Sequence, residues 1–571
     1  MKDSIKVVIV GGVACGPKTA SRLKRIRPEA EVTLVDKGKV LSYGACGLPY
    51  YVSGSFDRID ALVETPIGVK RDPVFFKKVK GFDALPETEA VKIDRQNKTV
   101  DVVSGAAGVK RTLPYDRLVL ATGAQPFRPS IPGLELKGIH HMHQLEDASS
   151  VKSAVEKGEV RSAAIIGAGL IGMEMCEALV ARGVRVTIVE MLPTVMGLLL
   201  DEEIGRLAMK HMAAKGVILR MGETVRAFEG HAQGRVAKVR TSRDVIDSDL
   251  CLLAVGVKPT SELAVQAGLA VDPKGGILIN PFCQTNDPDI YAGGDCVTNA
   301  CLHGLSGGGI FAPQGSTSNK HGRIIANHIA GLAEPFPGVL GTVICKVFEI
   351  TIARTGLTEV QARALGYDVE TVLWAGADLP HYYPGTKPFC MKLVVNRRTR
   401  RLIGFQAVGA GDVDKRLDVA ATAISLQATI DTIAHLDLGY APPYSPPLDP
   451  ILTAAHIAQN KLDGITKGIS PLELRRRVEQ GDRDIVLVDV RTPAEREQVR
   501  LPFEDRTVHI PLGALRERLG ELPREKQIVP FCKVSLRGYE AERILSGAGF
   551  PNVSFLDGGI AAWPFELVTP K

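Results

Sequence analysis

Residues 163–172 read Ala-Ala-Ile-Ile-Gly-Ala-Gly-Leu-Ile-Gly, followed by a helix-like stretch and then by VRVTIVE at 184–190. An apolar run bounded by glycine suits a buried parallel strand. Gly167, Gly169 and Gly172 let a backbone turn approach a pyrophosphate, and the helix N-terminus behind them supplies N–H donors and dipole. Glu190 closes the second strand where an acid takes ribose hydroxyls. A carboxylate there favours a free 2′-OH, hence NADH over NADPH. A chance glycine turn would explain neither the second strand nor the acid. Gly256, in LLAVGVKP (252–259), is counted with this site.

The same pattern occurs once more, nearer the N-terminus. IKVVIV (5–10) runs into Gly11-Gly12-Val13-Ala14-Cys15-Gly16, a helical stretch follows, and EVTLVD (31–36) ends at Asp36. Val13 stands where the fingerprint has its middle glycine, so this copy reads either as a second dinucleotide site or as an ordinary tight turn. Two further strand-to-turn segments follow in order. YDRLVLATGA (115–124) carries Thr122 and Gly123, and TNDPDIYAGGDC (285–296) carries Gly293-Gly294-Asp295.

With 571 residues, the chain has room for about three to five domains. Its 70 Lys and Arg against 64 Asp and Glu leave a net charge of +6, without the concentrated basic stripe of a nucleic-acid binder. The ten cysteines form no CxxC pair, which speaks against a zinc ribbon or vicinal dithiol, and no metal site is expected. Unpatterned cysteines in a chain this long suggest a reducing compartment. No apolar run reaches the ~18 residues of a membrane span, and the first apolar stretch leads into a glycine turn rather than a cleavage site. The expectation is a cytoplasmic enzyme with neither nucleic-acid nor membrane partners.

The four motifs, in this order, resemble the two-dinucleotide-binding-domain flavoprotein disulfide reductases over residues 1 to about 460. The resemblance implies an α/β fold with two Rossmann-like domains. FAD would be held at the first site by Gly11, Gly12, Gly16, Asp36, Ser42, Thr122 and Gly123, with Asp295 on the ribityl chain. NADH would be held at the second. The FAD domain would span 1–152 and 280–335, with the NADH domain, 153–279, inserted.

The stretch Ser42-Tyr43-Gly44-Ala45-Cys46-Gly47-Leu48-Pro49-Tyr50-Tyr51 resembles the S-F-A-N-C-G-L-P-Y-Y of coenzyme A disulfide reductases, with Tyr43, Gly44 and Ala45 in place of Phe, Ala and Asn. Dithiol members have two cysteines five apart; here Cys46 stands alone. It must then cycle through a mixed disulfide, a persulfide or a sulfenic acid. Attack requires a thiolate, so a lowered thiol pKa is expected from helix dipole and flavin. Cys296 and Cys301 have the dithiol spacing but follow Asp295. GTVICKVFEITIARTGLTE (341–359), HYYPG (381–385) and YAPPYSPP (440–447) look like the family's α+β dimerisation domain, here 336–462. That implies a homodimer in which the partner's Tyr440 and Tyr382 lie over the redox cysteine. A tyrosine hydroxyl there can hydrogen-bond or protonate a leaving thiolate. Coenzyme A phosphates would need cations, and Arg22, Arg25, Lys70 and Arg71 are candidates.

A new α/β pattern covers 465–571 and resembles a single-domain rhodanese. ISPLELRRRVEQG (469–481) is amphipathic, and DIVLVDVR (484–491) reads as a strand ending at Arg491. Cys532-Lys533-Val534-Ser535-Leu536-Arg537-Gly538 opens a loop into a helix, so successive N–H groups can face one anion on Cys532. Lys533 and Arg537 add positive charge.

The combined expectation is an NADH-dependent persulfide, polysulfide or coenzyme A disulfide reductase. Electrons run from NADH through FAD to Cys46, Cys532 handles sulfane sulfur, and a flexible pantetheine arm can carry sulfur between thiols. One alternative is an NADH oxidase or peroxidase using a Cys46 sulfenic acid. Another is a sulfur-delivery module on a redox-sensing flavoprotein.

Overall fold

The computed structural model describes residues 4–306 and 308–569. They form two compact units, one of residues 4–191 and 223–339, the other of 192–222 and 340–569.

In the first unit, Lys6–Val10 lies between Arg117–Leu120 and Glu31–Val35, with Ile290–Ala292 and Asp83–Leu85 outermost, all parallel. Both faces are covered, which is why the run is apolar throughout. Val7 and Ile9 join Leu23 and Ile325 on one side; Val8 and Val10 join Leu118 and Ile290 on the other. The helix Cys15–Ile26 returns over this sheet, burying Ala20 and Leu23, and packs along Gly315–Ile329. Lys24 and Arg25 fall in its last turn, where cations suit the helix dipole. A second parallel sheet carries Arg185–Glu190, Ser162–Ile166, Leu250–Leu253 and Ile139–His140 in that order. Two three-stranded antiparallel ribbons, Thr88–Asp94 to Val109–Pro114 and Val225–Gly230 to Val245–Asp247, have no counterpart among the sequence motifs.

The second unit is built on an antiparallel sheet. Its strands run Val343–Val347, Ile350–Gly356, Leu402–Gly409, Pro388–Asn396 and Val369–Ala377, with the helix Val413–Ser425 packed on it. Buried Lys392 meets Asp201 at 3.2 Å, Glu203 at 3.3 Å and Glu359 at 2.7 Å, fastening the helix Glu202–Ala214 to that sheet. The C-terminal part has parallel strands Thr507–His509, Ile485–Asp489 and Gln527–Phe531. The central strand stops at Asp489, two residues before the expected end, because Arg491 turns back to pair with Asp489 at 2.7 Å. Among the described residues no helix is long and apolar enough to cross a membrane.

A buried ion pair joins the two parts of this unit. Lys461, at the end of the helix Pro450–Leu462, donates to Asp557 Oδ2 at 2.7 Å and to the Thr371 carbonyl at 2.9 Å. Burial lifts the Asp557 carboxyl to about 6 although the ammonium opposes the shift. Removing one partner of a buried pair costs about 3–5 kcal/mol. Lys461→Met is therefore expected to lower the unfolding midpoint of the C-terminal part strongly, and Lys461→Met with Asp557→Leu to recover much of it. Denaturant titration of both variants checks this.

Candidate functional site

Two glycine turns with nearly the same geometry stand at the ends of the parallel strands. Gly11 N–H donates to Val35 O at 2.8 Å, and Gly167 N–H to Val189 O at 2.8 Å. A Cβ on Gly16 would lie 1.9 Å from Gly11 O, and one on Gly172 2.2 Å from Gly167 O, so each helix starts in contact with its turn only because both residues are glycine. Asp36 accepts from Gly12 N–H at 2.6 Å, and Glu190 from Ala168 N–H at 2.8 Å. Asp36 also accepts from Gly38 N–H at 2.6 Å, so it braces its own turn before meeting any ribose. Around Gly169 the space that a Cβ would fill is open, which leaves room for a pyrophosphate in the second cradle. Half-buried Val13 takes the corresponding place in the first. Both cradles fit dinucleotides.

The two late motifs close over the first cradle. Ala121 O lies 2.0 Å from where a Cβ on Gly11 would be. Thr122 Oγ1 donates to Thr260 O at 2.5 Å, and Thr260 N–H to Gly123 O at 2.9 Å. Gly256 has a positive φ of 99° and accepts at its carbonyl from Phe127 N–H at 3.0 Å. Asp295 accepts from the Ser318 hydroxyl at 3.0 Å, and burial raises its carboxyl pKa. His321 belongs to the same turn, although a lone histidine in a helix gave no signal in the sequence. Its Nδ1 accepts from Gly294 N–H at 3.1 Å, which places the ring proton on Nε2. The ring is fully buried, edge-on to Phe336 with centroids 4.6 Å apart. Burial, helped by Lys320, lowers its pKa to about 4.

Cys46 lies in the short turn Ala45–Gly47 ahead of the helix Leu48–Ser53, which packs against Leu170–Ala181 from the second glycine turn. Ser42, with φ of 52°, donates its N–H to Gly12 O at 2.7 Å, hooking this segment onto the first turn. The thiol is thus set between elements of both cradles. It is exposed in the single chain. Partial desolvation, with the carboxylates of Glu174 and Asp295, nevertheless pushes its pKa up rather than down. The polypeptide by itself thus raises this thiol, and the lowering expected from helix dipole and flavin is not part of that balance. Glu174 itself is lifted to about 7 by burial and Glu177.

The basic candidates separate. Arg71 donates to Ser42 O and Glu64 O, both at 2.6 Å, which ties it to the Cys46 segment. Arg22 Nε donates to Asn327 Oδ1 at 2.9 Å. Arg25 and Lys70 are exposed, Lys70 lying 3.8 Å from Asp60. Cys296 is buried against Leu120 O and Gly293 O, and Cys301 lies beyond the far end of the strand Val297–Ala300. Five residues of extended chain span about 16 Å, too far for a disulfide. In the second unit Tyr382 and Tyr440 stand exposed, at 64% and 52%.

Cys532 follows the strand Gln527–Phe531 directly and is 1% exposed. Its carbonyl accepts from Ile560 N–H at 3.0 Å, and that of Lys533 from Ala561 N–H at 2.9 Å. A Cβ on Gly559 would lie 2.5 Å from Cys532 O, so the Gly558-Gly559 turn must lack side chains to back the loop. Ser535, at φ of 79°, starts the helix Leu536–Gly547, whose first N–H groups have no partner within the helix. Arg537 lies beside the Cys532 sulfur and is also held by Glu495.

Paired dinucleotide cradles beside one accessible thiol define a nucleotide-dependent thiol oxidoreductase, with a second cysteine loop on the same chain. The model of pyridine nucleotide-disulphide oxidoreductases matches residues 5–316, that of their dimerisation domain 342–449, and the rhodanese-like domain 470–565. The chain belongs to the pyridine nucleotide-disulphide oxidoreductase family, an oxidoreductase family that uses FAD and NAD(P)H. A relative from Pyrococcus abyssi, named NAD(P)H sulfur oxidoreductase (CoA-dependent), is 36% identical, covering 79% of this chain and 97% of its own. A solved NAD-dependent persulfide reductase from A. fulgidus is 43% identical with a TM-score of 0.92, covering 98% of this chain and all of its own. The reduced Bacillus anthracis CoADR-RHD structure is 36% identical with a TM-score of 0.90, covering 98% of both chains.

Two tests address this geometry. Glu174→Gln removes a carboxylate that raises the Cys46 thiol, so the pH midpoint of Cys46 alkylation is expected to fall; an unmoved midpoint counts against that coupling. The unfolded chain takes up a proton on His321 before the folded one does. Stability is therefore lost as pH falls from about 6.5 towards 4, by up to ~3 kcal/mol, and levels off below. His321→Gln should flatten this difference in denaturation curves across that range.

Proposed function

We propose that the protein is an FAD-dependent NADH:persulfide, polysulfide or coenzyme A disulfide reductase, acting as a cytoplasmic homodimer. The observation that carries this reading is the position of Cys46, hooked to one cradle through Ser42 and packed against the helix of the other. The sulfur-related names of the relatives support it. In the proposed partition, 1–152 with 280–335 hold FAD, 153–279 holds NADH, 336–462 forms the dimer and 465–571 is the sulfurtransferase.

Bound FAD and NADH would supply the two-electron reduction. The residues of this chain do the rest. Gly11, Gly12 and Gly16 admit one pyrophosphate, with Asp36 at the ribose, and Thr122, Gly123 and Asp295 line the same cradle. Gly167, Gly169 and Gly172, with Glu190 and Gly256, form the other. Cys46 holds the substrate sulfur as a mixed disulfide or persulfide. Tyr440 and Tyr382 of the opposite subunit stand ready to protonate the leaving thiolate, and their exposure leaves them free to do so. Arg22, Arg25, Lys70 and Arg71 offer charge to coenzyme A phosphates. Cys532, beside Arg537, accepts sulfane sulfur.

Anaerobic NADH oxidation with sulfide detection tests this. With coenzyme A persulfide, Cys46→Ser should lose at least about 100-fold in kcat. Cys532→Ser should keep coenzyme A disulfide turnover and lose polysulfide turnover selectively. If oxygen or peroxide is turned over as fast as every sulfur substrate, the reading is wrong and the sulfenic acid route replaces it.

A further inference from the structure

The charge around the sulfurtransferase loop is arranged unusually for an anion site. Arg537, the cation beside the Cys532 sulfur, donates to Glu495 through both terminal nitrogens, at 2.8 and 2.6 Å. Glu495 is fixed in turn: its Oε2 accepts from the Thr492 N–H and hydroxyl, both at 3.0 Å, as the third residue of the helix Pro493–Gln498. The guanidinium holds the Glu495 carboxyl far down, near 2, so it stays charged. In the loop itself Lys533, Val534 and Leu536 are exposed. The fixed positive charge of the guanidinium beside the sulfur is therefore largely offset by Glu495.

We propose that Glu495 sets the donor specificity of Cys532, selecting organic persulfides over doubly charged donors such as thiosulfate. This rests on the reading of Cys532 as a sulfur acceptor. In the favoured step the Cys532 thiolate attacks the outer sulfur of R–S–SH. The new bond gives Cys532–S–SH, the donor S–S bond breaks, and R–S⁻ leaves and takes a proton from water; one negative charge is present throughout. With thiosulfate the thiolate must meet a dianion, so three negative charges converge on a loop whose arginine is already paired. Glu495 touches no substrate; it acts through Arg537.

Sulfur transfer to cyanide, read as thiocyanate, tests this without NADH. The donors are thiosulfate and pantetheine persulfide, whose arm is uncharged. Wild type is expected to favour the persulfide by at least about tenfold in kcat/KM. Glu495→Gln should narrow that ratio at least about tenfold, mainly through the KM for thiosulfate, and Glu495→Asp should restore it. A wild-type preference for thiosulfate overturns the proposal whatever the variants do. So does a parallel loss with both donors in Glu495→Gln, which would mark Glu495 as a purely structural prop. Transfer that survives Cys532→Ser would instead remove the underlying reading.

Discussion

The contact between each glycine turn and the start of its following helix is the constraint on which both nucleotide cradles depend. A backbone carbonyl occupies the space of a side chain at positions 16 and 172. Any Cβ there would push the helix off the sheet and remove the N–H groups aimed at a pyrophosphate. The same logic extends one layer out, where Ala121 and Ala254 carbonyls press on Gly11 and Gly167. The cradles are therefore packing solutions first and binding sites second.

This is also why so much of the fold was legible. A missing side chain at fixed spacing leaves a mark in sequence, and so does an apolar run buried on both faces. The cradles, Cys46, Cys532 and the late turns could be placed from such marks. The antiparallel ribbons could not, because half-buried strands with many exposed polar residues look like loops. His321 was missed for another reason: it acts by one hydrogen bond to a residue far away in the chain, and local patterning carries no trace of it. Glu495 leaves the local mark of a Thr-x-x-Glu capping box, but its pairing with Arg537, 42 residues on, does not show in sequence. Arg71 shows the same limit. Its charge was visible, but the two carbonyls that take its donors were not.

The two sulfur chemistries are housed in opposite ways. Cys46 is exposed in the single chain, and the carboxylates of Glu174 and Asp295 with partial desolvation disfavour its thiolate. That fits a thiol whose reactivity is meant to arise only with its cofactor and substrate in place, since thiolate fraction governs unwanted oxidation too. Cys532 is almost wholly covered and braced from behind by a glycine turn, beside an arginine.

The Lys461–Asp557 pair bears on how such a chain can be taken apart. Asp557 directly precedes the glycine turn that backs the Cys532 loop, while Lys461 closes the last helix before the sulfurtransferase begins. A cut in the short linker between them would separate two sequence modules but leave a carboxylate facing newly opened solvent next to the sulfur loop. The boundary that sequence families draw here is thus not a seam in the physical sense. A charge on one side of the boundary has its counter-charge on the other.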